Sequence, residues 1–439
     1  MDTTAESIPE ERDEHVRLSD LAIGVVIGRT SEFFDFFVFA IACVLVFPQF
    51  IFSFASPVEG ILYSFAVLAL GFMARPVGTF IFTEVDRRFG RGTKLTAALF
   101  LLGLSTVAIS FLPSYEQEGW LTVASLCLFR MGQGAALGGA WDGMSSLLAL
   151  NAPEDKRARY AVLPQIGAPL GLMLACGLFI FLRASLSEEE FLRFGWRYPF
   201  FVAFAINVVA LFARLRLVVS TDLETLFSQA ELRPRINPRL LREESMNIIA
   251  GAFIPLATLA LFHMVTVFPL SWIYLYAPEN ITGFLWIEIV GALFGLGSMI
   301  ASGFIADKIG RRTLLRNCAF GIAIYAMLSP LLLSLGFSGE ALYVFIGFAL
   351  LGLSFGQSSG VVASGFAVKN RYTASNLTAD LSWMFGAGFA PFVALYLTET
   401  FGLWSAGAYL LSGAIATLVA LIVFKRSQDA RRAGDSSWR

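Results

Sequence analysis

The stretch LAIGVVIGRTSEFFDFFVFAIACVLVF, Leu21 to Phe47, decides the fold. Two apolar runs flank a polar core, Gly28 to Phe37. At 1.5 Å per residue, a helix of this length crosses a hydrocarbon core of ~30 Å. It carries Arg29, Glu32 and Asp35 near its middle. Each such group costs roughly 2.5–3.5 kcal/mol on insertion scales, so charges at that depth usually face an interior cavity. Their spacing of three places them on one stripe, which reads as the lining of an aqueous pathway. The other reading is an Arg29–Glu32 pair that neutralises itself and only holds helices together.

The rest of the chain supports a bilayer setting. Of 439 residues, 56% are apolar and only 15% charged, and the mean hydropathy is +0.70. A soluble protein of this size carries nearer 25% charged residues. The net charge of −1 says nothing about partners. Cys43, Cys127, Cys176 and Cys318 are scattered through apolar runs and read as small buried hydrophobes, with no disulfide framework. His15 and His263 are the only histidines, too few for a zinc or haem site. No metal and no cofactor is expected. The acidic start MDTTAESIPEERDEH reads as a short polar tail rather than a cleavable signal. There is no G-x-x-x-x-G-K-[ST] loop and no nucleophile–base pair, so an enzyme is not indicated. The arginine-rich loops serve topology and not nucleic-acid binding.

Twelve apolar runs are long enough to span, at about 20–46, 58–82, 95–113, 120–150, 160–183, 197–214, 247–277, 282–306, 313–335, 341–367, 373–398 and 402–424. The polar stretch 215–246, with Pro234 and Pro238, divides them into halves 20–214 and 247–424, with tails 1–19 and 425–439. Of the 32 basic residues, 26 fall in the tails and loops of one side, three on the other side and three within spans. This bias places both termini and the central loop in the cytoplasm. Asp86-Arg87-Arg88-Phe89-Gly90-Arg91 follows the second run, and Asp307-Lys308-Ile309-Gly310-Arg311-Arg312 follows the eighth, 221 residues later. Two six-span halves of like topology, related by an axis along the membrane normal, account for the repeat.

Further motifs stand in order along the chain: Glu32-Phe33-Phe34-Asp35-Phe36, Gly71-Phe72-Met73-Ala74-Arg75-Pro76-Val77-Gly78, Arg130-Met131-Gly132-Gln133-Gly134 through Gly138-Gly139-Ala140-Trp141, Gly195-Trp196-Arg197-Tyr198-Pro199-Phe200, Arg371-Tyr372-Thr373-Ala374-Ser375 and Phe389-Ala390-Pro391. Over essentially the whole chain the sequence resembles the major facilitators. Within them it is similar to the metabolite:proton symporters, which carry shikimate, α-ketoglutarate, citrate and related acids, or proline and betaine. Departures from the family pattern are Ala140 in place of Glu, with Asp142 two residues on, and Phe82 in place of Gly. Arg29 stands where relatives have a small or polar residue, and Asp380 where many have Asn or Gln.

The resemblance implies an all-α membrane protein with the major facilitator fold: twelve transmembrane helices in two pseudo-symmetric halves, both termini cytoplasmic. It implies secondary transport in the cytoplasmic (inner) membrane by alternating access, with a small organic acid as partner, probed by a proton-coupled cycle and carried out by a monomer. Glu32 and Asp35 are the candidate proton carriers, with Arg130, which the family ties to coupling, and Asp142. A guanidinium beside a carboxyl group shifts its proton affinity. Arg29, Phe33, Arg130, Gln133, Trp141, His263 and Asp380 are candidates for substrate binding. Asp86, Arg87, Arg91, Asp307 and Arg311 form a candidate conformational latch, or serve only to set topology. His263 has a packing alternative, Asp380 a structural one, and Glu288 reads as structural near the outer interface. Phe37, Trp272 and Trp383 could stack on substrate. Alternatives to an anion symporter are symport of a zwitterionic osmolyte and, given Ala140 and Phe82, a non-transporting sensor.

Overall fold

The computed structural model describes residues 18–140, 148, 152–218, 238–363, 366 and 371–436. Among these residues every regular element is a helix. Helices satisfy all their backbone groups internally, which is what a hydrocarbon environment demands. The first half contains α1 (Leu18–Leu45), α2 (Pro57–Phe89), α3 (Arg91–Ser110), α4 (Trp120–Gly139), α5 (Arg157–Val162), α6 (Gly167–Ser185) and α7 (Tyr198–Val218). The second contains α8 (Pro238–Phe253), α9 (Leu256–Val265), α10 (Val267–Tyr276), α11 (Ile281–Ile309), α12 (Arg311–Ser334), α13 (Gly336–Ala363), α14 (Arg371–Ser382), α15 (Ala390–Phe401) and α16 (Trp404–Ser436).

Among the described residues, ten helices are long and apolar enough to cross a membrane, and they match ten of the twelve runs. The first and fourth runs are the other two. The first is helical throughout as α1, which carries the three charges. The fourth is helical as α4 up to Gly139. Three boundaries differ from the sequence reading. Helix α2 continues past 82 to Phe89, because Glu84, Arg87 and Arg88 extend it as an ion-paired turn. Helix α8 begins at Pro238, inside the polar stretch taken as the central loop. The seventh and eleventh runs are interrupted: α9 gives way to α10 at Thr266 (φ −115°, ψ −70°), and a π-helical turn, Trp383–Gly388, separates α14 from α15. Pro391 sits in the first turn of α15, where its missing N–H costs nothing. The bend expected from Phe389-Ala390-Pro391 is therefore built from a π turn and a proline.

Local signals explain the ends. Helix α2 opens on a capping box in which Ser56 and Glu59 satisfy each other's backbone N–H, with Pro57 at the first helical position. Its end and that of α11 are alike. Gly90 (φ 85°, ψ 165°) joins α2 to α3, and Gly310 (φ 83°, ψ 143°) joins α11 to α12. Residues with a Cβ avoid that region. The repeated signal, Asp-x-x-x-Gly-Arg in the first copy and Asp-x-x-Gly-Arg in the second, forms the last turn of one helix and the first of the next. In the Gly195–Arg197 turn, Arg197 donates to the carbonyls of Ser110 (2.9 Å) and Leu112 (3.1 Å), tying off the end of α3.

The repeat extends to packing. Helix α2 lies along α4 as α11 lies along α13; α3 packs on α4 and α7 as α12 packs on α13 and α16. Backbones touch at matching points: a Cβ on Gly134 would lie 1.9 Å from the carbonyl oxygen of Gly71, and one on Gly352 2.2 Å from that of Gly295. Between the halves, α5 and α6 face α11, and the π turn with α14 and α15 faces α2. One end of the bundle, here the motif face, carries the Gly90 and Gly310 turns. The opposite end, the far face, carries the turns near Ser56, Ser114, Ser187 and Pro278.

Candidate functional site

Three residues of α1 spaced by three enter two different environments. The Glu32 carboxylate lies between two guanidiniums, with Arg214 Nη1 at 2.7 Å and Arg29 as its other partner. Arg214 comes from α7, at the end of the sixth apolar run, and is buried. Gly28 makes room for it: a Cβ there would sit 2.1 Å from Arg214 Nε. Arg29 also lies 5.0 Å from the centroid of the Phe33 ring. The pairing of Arg29 with Glu32 is thus present, with a third member that the sequence reading did not include.

Asp35 has a different setting. Its Oδ2 accepts from the Thr106 hydroxyl (2.7 Å) and Asn207 Nδ2 (3.2 Å), and its Oδ1 accepts from Gln133 Nε2 (3.3 Å). Gln133 also donates to Thr106 (2.9 Å), while its Oε1 accepts from Arg130 Nη1 (3.0 Å). Ser31 donates to Asn207 Oδ1 at 2.6 Å. All six residues are buried, and they come from α1, α3, α4 and α7 of one half. Arg130 reaches Asp35 through Gln133, donates to the Leu68 carbonyl (3.4 Å) and lies 4.2 Å from the centroid of the Phe39 ring. Trp141 and Asp142, the other candidates on this side, lie outside the described residues. Sequence reasoning missed Thr106 and Asn207; Asn207 had a signal, as a lone amide in the apolar run 197–214.

The centre between the halves is aromatic. Phe33 and Phe37 of α1 meet Phe262, Phe355 and Trp383 of the other half, and Trp383 stacks on Phe72 at 6.0 Å and 7°. Trp272 is elsewhere, paired with Tyr276. His263 is fully buried against Phe36, Phe72 and Phe262, and neither ring nitrogen has a hydrogen-bond partner. Beside Phe37, Leu172, Phe262, Met299 and Phe355 lies a cavity of about 20 Å³. Small-molecule pockets run to about 300–1,000 Å³. The site is closed.

Closure is held at the motif face by charge. Asp380, expected among the substrate ligands, instead accepts from Arg75 Nε (3.2 Å) and the Thr79 hydroxyl, both on α2 of the other half. Asp307 accepts from the Ala158 N–H (2.9 Å) and Arg159 Nε (2.7 Å), at the start of α5, and Arg311 donates to the Arg157 carbonyl (2.6 Å). Asp86 lies 3.2 Å from Lys94 Nζ and 4.0 Å from Arg91 Nε, and Lys94 donates to the Tyr372 hydroxyl of the other half (3.2 Å). Of the latch candidates, Asp86, Arg91, Asp307 and Arg311 lie at this junction. Arg87 does not: it is exposed and bound to Glu84 on its own helix. Both aspartates lie in the last turn of their own helices, and Asp307 reaches the N-terminus of a different one, where backbone N–H groups are free. At the far face the ties are hydrogen bonds without a basic partner: Gln49 donates to the Tyr274 hydroxyl (2.6 Å), and Cys176 donates to Glu288 (3.3 Å).

Two helical halves closed around a seam, each repeating the other's packing, define an architecture, and comparison with known proteins gives it a family. The profile of the Major Facilitator Superfamily matches residues 25–380. The chain belongs to this superfamily. The facilitator is 34% identical to the inner membrane metabolite transport protein YhjE of Escherichia coli (strain K12), covering 96% of this chain and 98% of that one. It is 29% identical to the shikimate transporter of the same organism, over 93% and 95% of the two chains. Among solved structures it is similar to the proton:xylose symporter XylE bound to 6-bromo-6-deoxy-D-glucose, with a TM-score of 0.71, 19% identity, and coverage of 93% and 95%. The facilitator is therefore a transporter and not an enzyme.

Proposed function

We propose that this facilitator is a proton-coupled symporter of a small organic acid, with twelve spans and both termini cytoplasmic, working as a monomer in the inner membrane. The motif face is then the cytoplasmic one. The supporting relatives are named for metabolite and shikimate transport, and the structural neighbour for proton symport.

The observation that carries the reading is the setting of Asp35. It is a buried carboxyl group held only by neutral donors, with a guanidinium one side chain away. A proton can arrive there without breaking an ion pair. On arrival, one carboxyl oxygen becomes a donor, and the Thr106 hydroxyl can turn to accept. Gln133, drawn between Asp35 and Arg130, then loosens its hold on Arg130. The freed guanidinium takes the substrate carboxylate in a charge-assisted, two-pronged contact. Glu32 serves the same site as the fixed counter-charge of Arg29 and Arg214. Phe33, Phe262, Phe355 and Trp383 cover the apolar part of the substrate, with His263 at the edge. The halves then rock about the site, exchanging the motif-face ties for those of the far face.

The test is uptake into proteoliposomes, with a panel of carboxylates and zwitterions offered under a proton gradient. Proton entry with a carboxylate, lost in Arg130→Ala, supports the reading; entry with zwitterions alone overturns the anion assignment. A second reading, symport of a zwitterion with a quaternary ammonium group, is favoured by the aromatic wall, since such cations bind over ring faces, and by the partners that Arg29, Arg75 and Arg130 already have.

A further inference from the structure

Glu288 takes no part in the scheme above, yet it is 1% exposed and lies on the seam between the halves. Its Oε2 accepts from the Cys176 thiol, and its Oε1 has no hydrogen-bond partner. Cys176 on α6 is one turn beyond Leu172, and Glu288 on α11 is two turns before Gly295; both Leu172 and Gly295 line the central cavity. The contact therefore roofs the cavity on its far-face side, where α6 meets α11.

Among the described residues, no positive charge pairs with it. On α6, Arg183 lies two turns nearer the far face, with its guanidinium over the Phe191 ring at 5.8 Å. On α13, Val344 and Phe348 face the next turn of α11 at Gly291, while the Tyr343 hydroxyl is bound to the Met264 carbonyl. Glu340, also on α13, is itself an acid and supplies no positive charge; its Oε2 has no hydrogen-bond partner. On α12, Tyr325 donates to the Tyr343 carbonyl (2.9 Å). On α10, the Tyr274 and Tyr276 hydroxyls bond Gln49 and Glu399, and Glu279 is exposed in the turn that follows. On α5, Arg157 and Arg159 are at the opposite end of α11, with Arg159 on Asp307. The apolar seam has nothing to balance an ionised carboxylate, whereas water in an open far-face cleft does.

We propose that Glu288 is a second proton-binding site, whose uptake of a proton accompanies closure of the far face. As α6 and α11 come together, a hydronium ion of the far-side water gives its proton to one Glu288 oxygen and leaves as water. On opening, the proton returns to the same side. It is a gate proton, distinct from the one Asp35 carries across. The inference rests on the alternating-access reading, and Cys176 supplies a test that needs no substrate.

The full chain carrying Cys43→Ala, Cys127→Ala and Cys318→Ala is placed in proteoliposomes. A membrane-impermeant maleimide is applied at the far face between about pH 5.5 and pH 8. A second protein with Cys176→Ser and Glu116→Cys on the exposed far-face turn reports the intrinsic pH dependence of thiol labelling. Relative to it, Cys176 labelling is expected to rise with pH by up to about tenfold per unit, the limit for one linked proton. Glu288→Gln is expected to label slowly and evenly at every pH, and Glu288→Asp to retain the rise. Equal pH profiles for Glu288→Gln and its parent overturn the proposal, as does Cys176 that never labels while the reference does. Substrate uptake by the same vesicles tests the transport reading separately.

Discussion

Asp35 and Glu32 are three residues apart on one helix, and their neighbours give them opposite tasks. Glu32 sits between Arg29 and Arg214, so neutralising it leaves a buried and a half-buried cation without their counter-charge. Breaking such a pair costs about 3–5 kcal/mol. Glu32→Gln is accordingly expected to lower the thermal midpoint in detergent sharply, and a midpoint unchanged within a degree or two would refute the structural assignment. Asp35→Asn keeps the size and most of the hydrogen-bonding capacity of its network. It is expected to fold with near-parental stability, to retain counterflow exchange and to lose gradient-driven uptake. Both carboxyl groups were visible in the sequence, because charges stand out in an apolar run. Their division of labour was not, because it depends on Arg214 and Asn207, more than 170 residues away and brought beside α1 only by the packing of α7.

At the scale of elements, small residues set how closely helices approach. Gly134 against Gly71 and Gly352 against Gly295 are matching contacts in the two halves. Gly134→Leu is expected to abolish the folded, monodisperse fraction in size-exclusion chromatography, because backbone cannot yield as a flexible side chain can. Gly90→Ala is milder: its backbone region costs a residue with a Cβ about 1–3 kcal/mol, and a lower melting temperature with retained uptake is the expected outcome. Helix positions and the repeat were legible from hydropathy and from the two Asp and Gly-Arg signals, at Asp86 to Arg91 and Asp307 to Arg311. The breaks at Thr266 and Trp383–Gly388 were less so. The π turn begins at Trp383, whose ring stacks on Phe72 of the other half, a contact that no local pattern encodes.

For the whole molecule, the ties across the seam determine which way it opens. Asp307→Asn combined with Asp380→Asn removes the acidic partners of Arg159 and Arg75. Spin labels placed across the motif face should then report a longer mean distance, with the far face unchanged; an unaltered distribution would show that these pairs do not hold the gate. The inter-half partners Arg75 and Tyr372 could not be assigned from a single sequence, since each meets its counterpart only when the two repeats close on one another. The two ends of the seam also differ in how they answer to the surrounding solution. Ions screen partly exposed charge pairs such as Arg159–Asp307, while strongly hydrated salts favour the burial of apolar surface. A rising concentration of sodium sulfate is thus expected to loosen one end while tightening the other, biasing the resting orientation of this facilitator toward opening at the Gly90 and Gly310 turns, whereas sodium chloride at equal ionic strength should act mainly on the charged end.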